Sequence, residues 1–165
     1  MRIFALAILL CGCTTTDDTT DGGDGAPDGG AQGVEATFTS LFADYLGECS
    51  NCHAQGAPGR TDDIEQTLDF TSRTTAHSTI TTGMAAGLTG NFAGCNGVPF
   101  VGSGPSDSLL LASLDGPTRT AFDLSAFPDC DMDAIADQTV QVGQAPSADF
   151  ISALKTWLTD GAPNN

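Results

Sequence analysis

The sequence predicts an all-α domain behind a leader and a tether, and three observations predict it. Two amphipathic helical stripes lie far apart, one opening at Val34 and one closing at Trp157 and Leu158. No run of alternating apolar and polar residues is present that would mark a strand. The stretch between the stripes is rich in Gly, Thr and Ser and holds only short helical candidates, so long irregular loops are expected. A length of 165 residues suits one domain, and no internal repeat is visible.

The elements follow in chain order. Residues 1–12 read as a signal peptide: Arg2 precedes an apolar run, Ile3 to Leu10, that is too short to span a bilayer. The run ends in "LCGC", which resembles the lipobox of bacterial lipoproteins, with Leu10 at −3, small Gly12 at −1 and Cys13 as the lipidated residue. Cys11 fits less well, because bulky Leu10 would precede it. Residues 13–33 are the lipidated cysteine and a tether, "TTTDDTTDGGDGAPDGGAQG", with five Asp and almost no apolar side chain. Nothing there offsets the entropy of ordering, and such a chain spans about 25 Å root mean square. Localisation follows as the cell envelope, anchored by lipid at the periplasmic face or outer surface. Export also places the remaining cysteines in an oxidising compartment.

The folded domain is expected at 34–165. Val34, Phe38, Leu41, Phe42, Tyr45 and Leu46 form the first stripe, and Gly47 ends it. The last helix is capped by Ser147, buries Phe150, Ile151, Leu154, Trp157 and Leu158, and stops at Gly161. Shorter helices are expected near 62–68, 73–81 and 106–114. The formal charge of −16, with five basic residues, excludes nucleic acid as an obvious partner and disfavours an anionic membrane surface. Nine Phe, one Tyr and one Trp make a thin core for this length, which a bound apolar cofactor would supplement.

"ECSNCH", residues 48–53, carries the chemistry. C-x-x-C-H is the attachment pattern of c-type haem: two thiols one helical turn apart each add to a haem vinyl group, and the next residue offers its imidazole to the iron. Cys49 and Cys52 are then the covalent attachment points and His53 the proximal ligand of one haem c. A zinc site would need a fourth ligand from Cys95, Cys130 or His77 and favours reduced thiols. A Cys49–Cys52 disulfide is the plainest alternative. "PDCDMDAIAD" alternates Asp129, Asp131 and Asp133 like a calcium loop, but Ala134 and Val140 stand where such a loop wants Gly and Glu. Nothing marks a nucleophile beside His77.

From residue 37 onward the chain resembles the c-type cytochrome domain of bacterial lipoproteins with Asp/Gly-rich leaders. The resemblance is carried by "CSNCH", "TLDFTS…AHSTI", Cys95, "GPSDSLLLASL", "CDM" and "ALKTWLTDGAPNN". It implies a small all-α cytochrome c fold, N- and C-terminal helices packed around one covalent haem c, and a role in carrying electrons to or from a redox partner protein rather than catalysis. It implies a Cys95–Cys130 disulfide, in line with two leftover cysteines in an oxidising compartment. It also places Met132 where the family has its distal iron ligand, although Asp133 follows where the family has Pro. Met84, in a glycine stretch that reads as mobile, and His77, at a tyrosine position of the family's helix, are the other donors. The segment from Met132 to the last helix reads as irregular. Two rival functions are a non-catalytic surface or periplasmic lipoprotein with structural disulfides, and a small haem peroxidase, which needs an open distal site.

Overall fold

The two end helices form where the stripes place them, and they pack on each other. In the computed structural model the described residues are 33–54, 57, 68–141 and 145–165, with the side chains of 138–141 left aside. They fall within one compact unit, Gln32–Asn165. The leader, Cys13, the tether and all but the last residue of the 62–68 helical candidate lie outside the described residues.

Helix α1, Phe38–Asp44, starts where the Thr37 hydroxyl accepts the Ser40 N–H at 3.1 Å. Phe38 and Leu41 are fully buried. The predicted stripe runs on past this helix: at Tyr45 the backbone leaves the helical region and re-forms as a 3₁₀ turn, Leu46–Cys49, followed by the short α2, Ser50–His53. The last helix, α7, Ala148–Thr159, is capped by Ser147, whose hydroxyl accepts the Phe150 N–H at 3.0 Å. It buries Phe150, Ala153, Leu154, Trp157 and Leu158. Phe38 meets Trp157 at 5.4 Å between ring centroids, and Tyr45 meets Phe150 at 4.9 Å. Early pairs with late, so α1 and α7 run in opposite directions. Asn165 then closes the chain on itself, its carbonyl and side-chain oxygens accepting from Thr39 and Phe38 of α1 at 2.7–3.0 Å.

Helix α3, Arg73–Thr82, opens with a reciprocal cap between Ser72 and Thr75 and buries Ala76 and Ile80. Helix α4, Leu109–Leu114, begins later than the sequence suggests, because Pro105–Asp107 forms a 3₁₀ turn first. The Asp107 carboxylate fixes that turn by accepting from the Ser103 and Gly104 N–H groups at 2.9 and 2.8 Å. Helix α5, Gly116–Ala121, is capped by Asp115 and was not marked by any stripe.

Two expectations need correction. The segment opening at Met132 is not irregular: it is helix α6, Met132–Gln141. Met132 and Ala136 are buried on one face, and Asp131 accepts the Ala134 N–H at 2.9 Å in the capping position. The glycine stretch around Met84 is also pinned. Ala85 and Val98 pair at 2.8 Å, and the Asn96 amide group bonds the backbone of Leu88 on both its donor and acceptor sides at 2.9 Å. Among the described residues there is no strand, only the isolated Met84–Pro99 bridge, and the class is all-α. No helix among them is long and apolar enough to cross a membrane.

Candidate haem-binding cleft

The motif residues arrive at their place through the break in α1. Turning the chain at Tyr45 brings Cys49 to the end of the 3₁₀ turn and His53 to the end of α2. The next described segment ties back to them, since the His53 carbonyl accepts the Phe70 N–H at 2.7 Å. The Phe70 ring stands 6.0 Å from the imidazole, centroid to centroid. Cys49 and Cys52 sit three residues apart, on one helical face, as free thiols.

Cys49 and His53 line one cleft, of about 260 Å³. The rest of its wall is assembled from the whole domain. Leu68 and Phe70 come from the segment after the motif, and Ile80 from α3. Ala85, Leu88, Phe92 and Phe100 come from the pinned glycine stretch. Helix α4 supplies Leu109, Leu110 and Ser113, and α6 supplies Ile135. Among the described residues the only polar side chain of the wall besides Cys49 and His53 is Ser113, and its hydroxyl is occupied in donating to the Leu110 carbonyl at 2.9 Å. Burial pushes the Cys49 thiol up to about 11, with the neighbouring Cys52 and Glu48 adding to the rise against a backbone hydrogen bond that lowers it.

The other candidate residues are placed as follows. Cys52 is half-buried and does not itself line the cleft. Cys95 and Cys130 are joined by a disulfide, Cα atoms 4.4 Å apart, that ties the glycine stretch to the start of α6. Met132 is buried, its sulfur 3.7 Å from Cys130 Sγ, and it stays outside the cleft lining. His77 lies in the core on α3: its Nε2 is 2.9 Å from the Ala162 carbonyl oxygen, and its ring meets Phe38 edge-on at 4.9 Å. Met84 is about half exposed, at 52%. Among the described residues no cluster of three His, Cys, Asp or Glu side chains could hold a metal ion by itself.

A macrocycle with apolar faces needs a mostly apolar slot, one strong axial donor and, for covalent capture, a pair of thiols a turn apart; the wall, His53 and the Cys49/Cys52 pair fit that requirement. The apolar residues of the wall were not marked as a site by the sequence. Their only signal there is hydrophobicity, which they share with every core residue. No family model, no curated protein and no solved structure matches the chain.

Proposed function

We propose that the chain is a monohaem c-type cytochrome of the cell envelope, anchored by lipid at Cys13, that carries electrons to or from a protein partner. One observation carries this reading: the C-x-x-C-H motif opens onto an apolar cleft, with Cys49 and His53 on its wall. A zinc site or a plain disulfide needs no such cleft, and a structural lipoprotein has no use for it. The cytochrome-like character of the all-α fold belongs to the same proposal.

Within it, Cys49 and Cys52 hold the group by thioether bonds, each S–H adding across a vinyl double bond with no change in electron count beyond that addition. His53 supplies the proximal nitrogen. Bound there, haem supplies a one-electron couple at iron. The protein's own contribution is dielectric: Phe70, Ile80, Phe100, Leu109 and Ile135 keep water from the cleft, so little solvent rearranges between the two charge states.

The test is a haem-stained denaturing gel with the absorption spectrum of the reduced protein, made in a host with a haem c assembly pathway. The wild type retains haem through denaturation and shows the reduced c-type α-band. Cys52→Ala keeps at most one thioether, and His53→Ala loses the proximal ligand, so both fall strongly in stained protein. Undiminished haem in His53→Ala would overturn the assignment of His53.

A further inference from the structure

We propose that this cleft leaves the iron's sixth position open to small uncharged diatomic ligands, carbon monoxide among them. The inference rests on the haem reading above and deepens it. It is an elimination over the described residues, which hold every His and every Met but Met1. Beyond His53, the donors that fill the sixth position of a low-spin protein haem are chiefly imidazole and thioether. The chain contains two His and three Met, so the candidates can be counted. Met1 lies outside the described residues.

His77 is committed elsewhere. Its Nε2 meets the Ala162 carbonyl oxygen at 2.9 Å, and its ring is packed edge-on against Phe38 and Trp157 at 4.9 and 6.1 Å. Withdrawing it would break the packing between α1, α3 and α7. Met84 is 52% exposed and does not line the cleft, where its neighbour Ala85 stands. Met132 is the donor that the resemblance favours, yet it is 5% exposed with its sulfur 3.7 Å from Cys130 Sγ. Helix α6 turns Ile135, not Met132, to the cleft. The disulfide holds the residue two before Met132 to the end of another turn, which fixes the start of α6 against rotation. Less common donors are also engaged, since Lys155 pairs with Asp115 at 2.8 Å and the Tyr45 ring packs on Phe150.

The wall then sets the class of ligand. Among the described residues it is apolar apart from Cys49, His53 and Ser113, and the Ser113 proton is already given to the Leu110 carbonyl. An anion entering such a site would lose its hydration without a donor to replace it. A neutral diatomic molecule loses almost nothing. Carbon monoxide and nitric oxide therefore fit the wall, and azide, which is ionised at neutral pH, fits it poorly.

The experiment is a carbon monoxide titration of the dithionite-reduced, full-length holoprotein, followed by its optical spectrum, with Met132→Leu alongside. Leucine keeps the volume against the disulfide and removes the sulfur. The expected results are a Soret shift in the wild type, and an affinity in Met132→Leu within about twofold of it. The ferric wild type should lack the far-red charge-transfer band of a thioether ligand. Azide at neutral pH should give no comparable shift in the ferric protein at matched concentration, and a comparable shift would overturn the class of ligand. The inference is overturned by covalently bound haem that shows the far-red band and no shift with carbon monoxide. It is equally overturned by an affinity that rises about tenfold or more in Met132→Leu, because the wild-type sulfur would then be a competitor. Protein that carries no covalent haem overturns the haem reading itself, and the stained gel separates that failure from the others.

Discussion

Gly94 shows how one residue decides a tertiary link. It precedes Cys95 in a 3₁₀ turn, and a Cβ at position 94 would fall on the backbone carbonyl of Asp129. Backbone cannot swing aside as a flexible side chain can, so the Cys95–Cys130 approach depends on the missing methyl group. Gly94→Ala should lower stability by about 2–3 kcal/mol in urea unfolding. Gly116→Ala is the control: its Cβ would meet nothing closer than the end of Arg119, at 3.9 Å, and it should change little. At this scale the sequence is informative only where chemistry enforces a spacing. Cys49 and His53 were legible because C-x-x-C-H has few other uses, and both reach the cleft wall. Phe70, Ile80, Phe100 and Ile135 were not, because nothing local separates a residue that lines a cleft from one that fills a core.

Between elements, charge and capping coincide at Asp115. Its carboxylate caps α5 by accepting the Thr118 N–H at 3.2 Å, and it pairs with Lys155 of α7 at 2.8 Å. Burial pulls its protonation upward, but the hydrogen bonds from Lys155 and Thr118 outweigh that and hold the carboxyl below its ordinary range. A carboxyl whose pKa is lower folded than unfolded stabilises the fold above its unfolded pKa, and that stability is lost as pH falls through the folded value. The loss therefore sets in below about pH 4. Melting temperatures measured across the acidic range should fall there in the wild type. Asp115→Asn should be less stable near neutrality and show a shallower acid decline; an unchanged decline would mean that the acid sensitivity resides elsewhere. Of the helices, α7 was legible because it carries a cap and an apolar repeat over twelve residues, and α3 because Ser72 can cap it ahead of Ala76 and Ile80, one turn apart. Helix α6 was missed for a physical reason: its described buried face is only Met132 and Ala136, with Ile135 half-buried beside them, and three Asp residues around its start resemble a loop. The cap at Asp131 was the signal that could have found it.

For the whole molecule, the proposal divides the work between a folded domain and a greasy end. The domain is strongly acidic, and no described helix could cross a bilayer. On the proposed reading a lipid on Cys13 would be the attachment, and a Gly-rich tether of this length would give about 25 Å of reach. Cys13→Ser should move the protein from the membrane fraction to the soluble envelope or medium fraction, checked by fractionation and immunoblot with haem content unchanged. Retention in membranes would mean that a protein partner does the holding. Among the described residues the loops expected from composition are irregular in path but pinned. Asn96, Asp107 and the disulfide each replace a missing strand or helix ladder with side-chain bonds, a use of Asn, Asp and Cys that composition cannot reveal.

The contact between Asn165 and α1 also bears on the order of events during synthesis. Phe38 and Asn165 are bonded across 127 residues, and Trp157, which covers Phe38, is made almost as late. A chain that emerges N-terminus first therefore exposes "CSNCH" long before it can close. The face of α1 that carries Phe38 has no cover until the last helix arrives. On the proposed reading, an attachment enzyme would meet an extended substrate with both thiols within reach, and docking of α7 would be the step that seals what has been attached.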